Sequence, residues 1–192
     1  MTVPVWKLTR TSFGRRVFDA LADVGVMFSR LEQFTYAFDG SVPEIAVPDA
    51  ISLRVDAPAA FSLSGRMNRP ELSDRDRLVA AVANGRVVGV QPVTIDRPFP
   101  VEPLQRTIEF DGAYFWGLYV DPAWRRRGVA TALVARALSF VAERTDRARV
   151  QTLVGSDNVP SKRLLTGVGF ERTRVRSYYR LFGARHRGQR RV

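Results

Sequence analysis

Leu118-Tyr-Val-Asp-Pro-Ala-Trp-Arg125-Arg-Arg-Gly128-Val-Ala130-Thr-Ala-Leu133 decides how the rest of the chain is read. The aromatic and apolar run that reaches Val120 reads as a strand, and Asp121-Pro122 ends it. Apolar residues then return at helical spacing: Val129, Ala132, Leu133, Ala137, Phe140 and Val141. A strand therefore hands over to a helix through three arginines and a glycine. N–H groups in the first turn of a helix lack intrahelical acceptors, and the helix dipole adds positive potential there. A glycine at that point lets the main chain approach a phosphate closely, and Ala130 keeps the next turn small. Arg125, Arg126 and Arg127 add charge for a diphosphate or a ribose phosphate. The pattern is that of an anion cradle, and a solvated arginine surface is the other reading of the same residues.

Downstream, Val150–Val154 reads as a strand, 158–168 as a short helix, and Phe170 onward as two further strands reaching Phe182. Upstream, Leu78–Val82 and Val87–Val90 flank Asn84-Gly85, a dipeptide suited to the positive φ angles of a tight hairpin. Pro92 implies a bulge or an edge in the second of those strands. One long strand is expected from Ile108 to Val120, preceded by a proline-bearing loop over 97–106 that is long enough to shape a substrate mouth. Helix and loop are expected over 58–76, and a strand over Ile51–Val55. Ser41–Ala50 reads as a linker, Phe34, Tyr36 and Phe38 as a short strand, and 13–31 as an amphipathic helix. That helix would pack on the domain or on a second subunit, which makes a homodimer an open expectation; a membrane-surface or targeting role is the other reading, since Arg10, Arg15 and Arg16 precede any acid.

The order of elements predicts an α/β fold: a mixed, mostly antiparallel central sheet layered by helices, with an extra N-terminal helix and strand. It divides the chain into an N-terminal extension (1–50), a main domain (51–183) and a basic C-terminal tail (184–192).

Composition removes whole classes of chemistry. Without cysteine there are no disulfides, thiolate metal sites or acyl-cysteine intermediates, and the lone His186 cannot build a triad or a histidine metal site. No acid and histidine cluster suggests a metal. A Walker loop needs a Gly-Lys-Ser/Thr close that is absent, and Gly167-Val-Gly169 ends a helix where a dinucleotide fingerprint opens one. No apolar run approaches a membrane span, and the N-terminus lacks the pattern of a secretory signal, so a cytoplasmic protein is expected. The net charge of +11 is uneven: Glu171–Val192 holds eight arginines against one acid. That leaves nucleic-acid binding through Arg185, Arg187, Arg190 and Arg191 as a reading to test, beside a plain solvated, disordered terminus.

The stretch Leu118–Leu133 resembles the acetyl-CoA signature of the GNAT N-acetyltransferase superfamily: Arg or Gln, two residues, Gly, one residue, then Gly or Ala, after a Val-x-Pro strand end. Asn158-Val-Pro-Ser161-Lys-Arg-Leu164-Leu-Thr-Gly-Val-Gly169-Phe170 resembles the superfamily's second signature, and the Asn-Gly hairpin with Arg86-Val-Val-Gly89 resembles its second and third strands. The resemblance covers about residues 51–182. It implies an acyl-CoA N-acyltransferase fold with acetyl-CoA as acyl donor, and a strand that splays from its neighbour so that main-chain groups of Leu118, Tyr119 and Val120 can pair with pantetheine. Backbone amides of Arg126, Arg127, Gly128, Val129, Ala130 and Thr131 would hold the diphosphate, with Arg125 beside them among the cofactor-binding residues. Asn158 would contact the pantetheine arm, an N-cap role being compatible with this, and Ser161 or Arg163 would approach the cofactor.

The resemblance fails where proton transfer is concerned. Many relatives carry a tyrosine seven residues after the asparagine, and here that residue is Leu165. Many carry an acid in the strand before the arginines, and none stands between Asp111 and Asp121. Glu109 and Asp111 acting through water are therefore the candidate bases, and Tyr119, Tyr178 and Tyr179 the candidate acids, for direct transfer in a ternary complex. Packing is the alternative role of each tyrosine. Tyr114, Phe115, Trp116 and Tyr119 suggest an aromatic neighbourhood for the acceptor, a small-molecule or peptide amine. A non-catalytic acyl-CoA sensor is the rival reading that the two missing groups favour.

Overall fold

A computed structural model describes residues 27–39, 42–144, 149–181 and 184–192. Its strands are β1 (Met27–Ala37), β2 (Ser52–Asp56), β3 (Arg77–Ala83), β4 (Arg86–Ile95), β5 (Phe99–Val101), β6 (Arg106–Ile108), β7 (Ala113–Phe115), β8 (Tyr119–Val120), β9 (Arg149–Gly155), β10 (Glu171–Leu181) and β11 (Ala184–Arg191). The α-helices among the described residues are α1 (Val129–Ala142) and α2 (Val159–Val168). Nine strands form one sheet in the order β11-β10-β1-β9-β7-β4-β3-β2, with β8 also paired to β4. Every pairing is antiparallel except β7 with β9, which α1 connects. The predicted mixed, mostly antiparallel sheet is the one observed.

The β3–β4 hairpin turns on Asn84 and Gly85, with φ of 49° and 72°, as the dipeptide predicts. Pro92 requires a correction. β4 is an interior strand, and its bulge lies opposite Ala81 and Val82. Pro92 instead falls between the residues that pair with β8 (Gly89, Val90) and those that pair with β7 (Val93–Ile95). Its carbonyl accepts from Trp116 N at 3.4 Å, so the donor that proline lacks points at the place where the neighbouring strand breaks.

β1 corrects the expectation at the N-terminus. Residues 27–31 belong to a strand and not to the predicted helix, whose remainder (13–26) lies outside the described residues. β1 is paired along both edges, to β10 and to β9, and two hydrogen-bonded ladders outweigh a helical spacing carried by a few apolar residues. The boundary drawn at residue 50 therefore separates no packed unit: β1 is wedged inside the main sheet. The expected linker has no regular structure in its described part, yet Val42 and Ile45 pack on the core. The basic tail is β11, an edge strand on β10, and not a disordered terminus.

Alternation along the strands sends one set of side chains to each face. Val79, Ala81, Val93, Phe115 and Val150 join Leu133, Ala137, Leu138 and Val141 of α1 in the main core. On the other face, Leu78, Ala80 and Val90 bury Phe61 and Met67. There too Tyr114, Trp116 and Tyr178 meet Phe99, Leu104 and Ile108. Phe99 and Leu104 belong to the segment expected as a loop, and Ile108 to the expected long strand; together they form a small β5–β6 hairpin closed over aromatic rings. The 58–76 segment holds two short 3-10 turns, Pro58–Ala60 and Gly65–Met67, and no α-helix. Phe61 and Met67 anchor it in place of a continuous amphipathic face.

Candidate active site

The single long strand expected over 108–120 is broken twice. After β7 the chain passes through Trp116, Gly117 and Leu118 before β8, and Gly117 takes the left-handed φ of 60°. β7 pairs with β9 at Phe115↔Thr152, but β8 pairs only with β4. The edge of β8 that faces β9 is therefore open. A cavity of about 230 Å³ occupies the opening, between Trp116, Gly117 and Leu118 on one side and Leu153, Val154 and Gly155 on the other. This is the splayed strand pair that the resemblance implies.

The cavity shares Leu118, Asn158 and Ser161 with a groove of about 960 Å³ that runs along Tyr119 and Val120 to the start of α1. Gly128 caps α1 with φ 78°, and no side chain caps the helix or adds an acid to its first turn. Arg126 is also left-handed, with φ 63°, a conformation that crowds a Cβ and persists only where the surroundings hold it. Val129, Ala130 and Thr131 line the groove, and their N–H groups belong to the turn that has no intrahelical acceptors. A bound diphosphate would satisfy them.

The three arginines, adjacent in sequence, diverge in space. Arg125 turns back, its Nε donating to the Val120 carbonyl at 3.0 Å and its guanidinium lying 5.7 Å from the Tyr119 ring centroid. Arg126 lines the groove and is exposed. Arg127 lies over the Trp124 ring at 5.3 Å and does not line the groove. Arg125 and Arg126 thus both line the groove while Arg127 does not: a turn with a left-handed residue at its centre points successive side chains in different directions.

Asn158 caps α2, its Oδ1 accepting from Ser161 N at 3.3 Å. Its side-chain amide is left for the groove and the cavity, both of which it lines with Ser161. Arg163 is exposed and lines neither. Lys162 donates to the Ser156 carbonyl at 2.7 Å and to Glu32 Oε1 at 3.1 Å, which ties the start of α2 to β1.

Of the five candidate acid and base residues only Tyr119 lines the groove. Glu109 and Asp111 line a different cavity of about 820 Å³ beside Arg174 and Arg176, and Asp111 pairs with Arg149 at 3.5 Å. Tyr178 is buried beneath the Arg187 guanidinium, and Tyr179 packs against Phe28. Sequence distance misleads here because the strand is broken on both sides of β7, which separates Glu109 and Asp111 from Tyr119. Tyr114, Phe115 and Trp116 line the small cavity, as does Leu165 at the position of the missing tyrosine. Burial pushes the Tyr114 phenol above its ordinary value, against the nearby Arg176 charge, and it stays neutral. Sequence reasoning missed Arg66 and Arg69, which line the groove from the 58–76 segment. No carboxylate among the described residues lines the groove. Among the described residues no cluster of histidine, cysteine or acid fits a metal, and no helix is long and apolar enough to cross a membrane.

Comparison with known proteins agrees with this geometry. Residues 50–170 match the Acetyltransferase (GNAT) family. A mycothiol acetyltransferase of Clavibacter sepedonicus is 30% identical over 141 residues, which cover 69% of this chain and 42% of that protein. The chain thus spans about two fifths of the curated relative it matches. Two solved structures share the fold. A GNAT-family protein of Novosphingobium aromaticivorans has a TM-score of 0.58 at 19% identity, over 83% of this chain and 67% of its own. A GCN5-related N-acetyltransferase of Sphaerobacter thermophilus has a TM-score of 0.55 at 17% identity, over 94% of this chain and 58% of its own. By sequence and by fold, the chain belongs to the GNAT acetyltransferase family.

Proposed function

We propose that the groove binds acetyl-CoA and that the chain is an N-acetyltransferase acting directly on the amine of a small molecule or peptide. The observation that carries the reading is the continuity between the amide-lined start of α1 and the gap between β8 and β9. Amides of Val129, Ala130 and Thr131, with Arg126, would hold the diphosphate. Open main-chain groups of Leu118, Tyr119 and Val120 and the Asn158 amide would hold the pantetheine arm. When bound, acetyl-CoA supplies an activated thioester whose acetyl group moves to the amine, giving an acetamide and the free thiol of CoA. The protein's share is placement and polarisation: fixed N–H groups near the strand break, and exclusion of water by Phe115, Trp116 and Leu165. Ser161 and Tyr119 are the hydroxyl groups on the groove wall near its junction with the cavity, and water relayed by them carries the proton that Leu165 cannot.

The test is calorimetric titration with acetyl-CoA of the intact protein and of an Arg126→Glu plus Gly128→Glu variant whose fold is verified by circular dichroism. Binding by the intact protein that weakens at least about a hundredfold in the variant supports the site, as expected for placing two carboxylates where an anion must sit. Failure of the intact protein to bind acetyl-CoA, CoA or longer acyl-CoAs ends the reading. Release of CoA thiol with any amine separates a transferase from the non-catalytic binder that Leu165 favours.

A further inference from the structure

We infer that Arg69 is an anion-recognition residue for the acceptor, and that the preferred acceptor is an amine bearing a carboxylate. The inference rests on the transferase reading and names the substrate class of the same groove.

Arg69 lies in the segment between β2 and β3, behind the turn Gly65–Met67 that the buried Met67 fixes. Its guanidinium sits on Gly117, at the strand break. A Cβ at residue 117 would lie 3.1 Å from Arg69 Nε and 3.2 Å from its Cδ, so the missing side chain makes room for the arginine. Arg69 Nε is buried and has no hydrogen-bond partner among the described residues. Two other arginine Nε atoms share that state, but the Arg97 guanidinium pairs with Asp76 at 2.6 Å and Arg180 has another interaction. Among the described residues no hydrogen bond or ion pair holds the Arg69 side chain. A part-buried guanidinium without an acceptor is unfavourable, and an exposed rotamer would relieve it. Arg69 nonetheless lies against Gly117, and among the described residues no carboxylate lines the groove to meet it.

Position separates Arg69 from the cofactor cradle. Gly117 precedes Leu118, Tyr119 and Val120, and α1 begins beyond Val120. Arg69 thus stands at the strand-break end of the groove and Arg126 at the helix end, roughly 10 Å of extended chain apart. The strand-break end is where an acyl group and an amine would meet. A guanidinium fork there matches a carboxylate bidentately, and Arg66 on the same wall adds positive potential. An acceptor carrying only positive charge is repelled by this wall. An amino acid or similar zwitterion is steered to it, with the carboxylate on Arg69 and the amine toward the gap.

The experiment compares matched amines with the 192-residue chain: leucine with leucinamide and isoamylamine, and β-alanine with propylamine. CoA release is followed in wild type, Arg69→Gln and Arg69→Lys, and the affinity of each for CoA is measured separately by calorimetry. The carboxylate-bearing member is expected to lead its pair in kcat/KM by about 10- to 100-fold, the worth of a charge-assisted pair. Arg69→Gln is expected to remove that lead through KM, and Arg69→Lys to restore part of it, with CoA affinity unchanged within about twofold. Preference for the uncharged member, or an intact preference with weakened CoA binding in Arg69→Gln, overturns the inference and assigns Arg69 to the donor. Where no amine is turned over, binding of N-acetyl-leucine to the CoA-loaded protein is measured instead. Binding that Arg69→Gln loses supports the inference, and no binding by wild type overturns it. A wild type that fails to bind CoA removes the transferase reading and the inference together, and the separate titration identifies that case.

Discussion

Trp116 donates its indole N–H to Thr94 Oγ1 at 2.9 Å, joining the strand break to the adjacent strand through two buried side chains. Thr94 passes the contact on, donating to Asp76 Oδ1 at 2.6 Å, and Arg97 reaches the same oxygen at 2.6 Å. The other Asp76 oxygen accepts from Ser73 N and Ser73 Oγ. One fully buried carboxylate thereby fixes the end of the 58–76 segment against β4 and Trp116.

Removing that carboxylate strands the Thr94 and Ser73 donors and leaves the Arg97 guanidinium with only the Ser73 hydroxyl, at 3.1 Å. Asp76→Ala is expected to lower unfolding stability by roughly 3–5 kcal/mol in urea titration at neutral pH, the range for breaking a buried pair. Thr94→Val should cost less, about 1–3 kcal/mol, since it strands only the Trp116 N–H and one carboxylate lone pair. An Asp76→Ala midpoint equal to that of wild type would show that the network does not hold the segment.

Glu32 gives the fold a dependence on pH. Burial by itself raises the carboxyl, but hydrogen bonds from Lys162 and Arg172, and their charges, outweigh it and hold the group below its ordinary value. A depressed folded value means that Glu32 contributes stability above the carboxyl's unfolded value, near pH 4.3, and loses it as pH falls through the folded one. Stability should decline over that acid window, and the decline should be shallower in Glu32→Gln. Parallel curves for the two proteins would contradict the assignment. Lys162→Met should also loosen α2, read as faster amide exchange at Asn158 and Ser161, because Lys162 joins β1 to that helix.

The three arginines should separate by titration. Arg126→Ala is expected to weaken CoA binding by about 3- to 10-fold, a partly exposed charge lost from an anion site. Arg127→Ala should leave the affinity within about twofold, since that side chain is committed to Trp124. Arg126→Gly adds a sharper test. It relieves the left-handed Cβ at a flexibility cost that nearly offsets the gain, so stability should rise by no more than about 1 kcal/mol while affinity falls. Equal losses for Arg126→Ala and Arg127→Ala would mean that the loop closes differently around its ligand.

Deleting 182–192 tests whether β11 is structural. Arg187 covers Tyr178, Gln189 accepts from Arg176, and β10 is paired to β11 from Arg174 to Leu181. Truncation should lower Tm by several degrees, about 2–4 °C for each kcal/mol lost at this size, and promote self-association through the freed edge. An unchanged Tm with a monomeric protein would return these residues to a passive terminus.

The sequence alone determined what local spacing can carry. The order of β3, β4, α1, β9 and α2, the Asn84-Gly85 turn and the anion-seeking start of α1 all follow from apolar periodicity and a few residues with special backbone demands. Those signals act within about ten residues and need no distant partner. The tertiary structure decided everything that depends on which strand lies beside which. It placed β1 between β9 and β10, turned a basic tail into β11, split the strand around Gly117, and dispersed Arg125, Arg126 and Arg127. It also separated Glu109 and Asp111 from the groove and brought Arg69 to it from an irregular segment. Pairing across a sheet is worth more than local preference, and a ladder leaves no mark on the sequence of either strand that identifies its partner. For that reason the helix-start end of the groove was legible in the sequence, and the strand-break end was not.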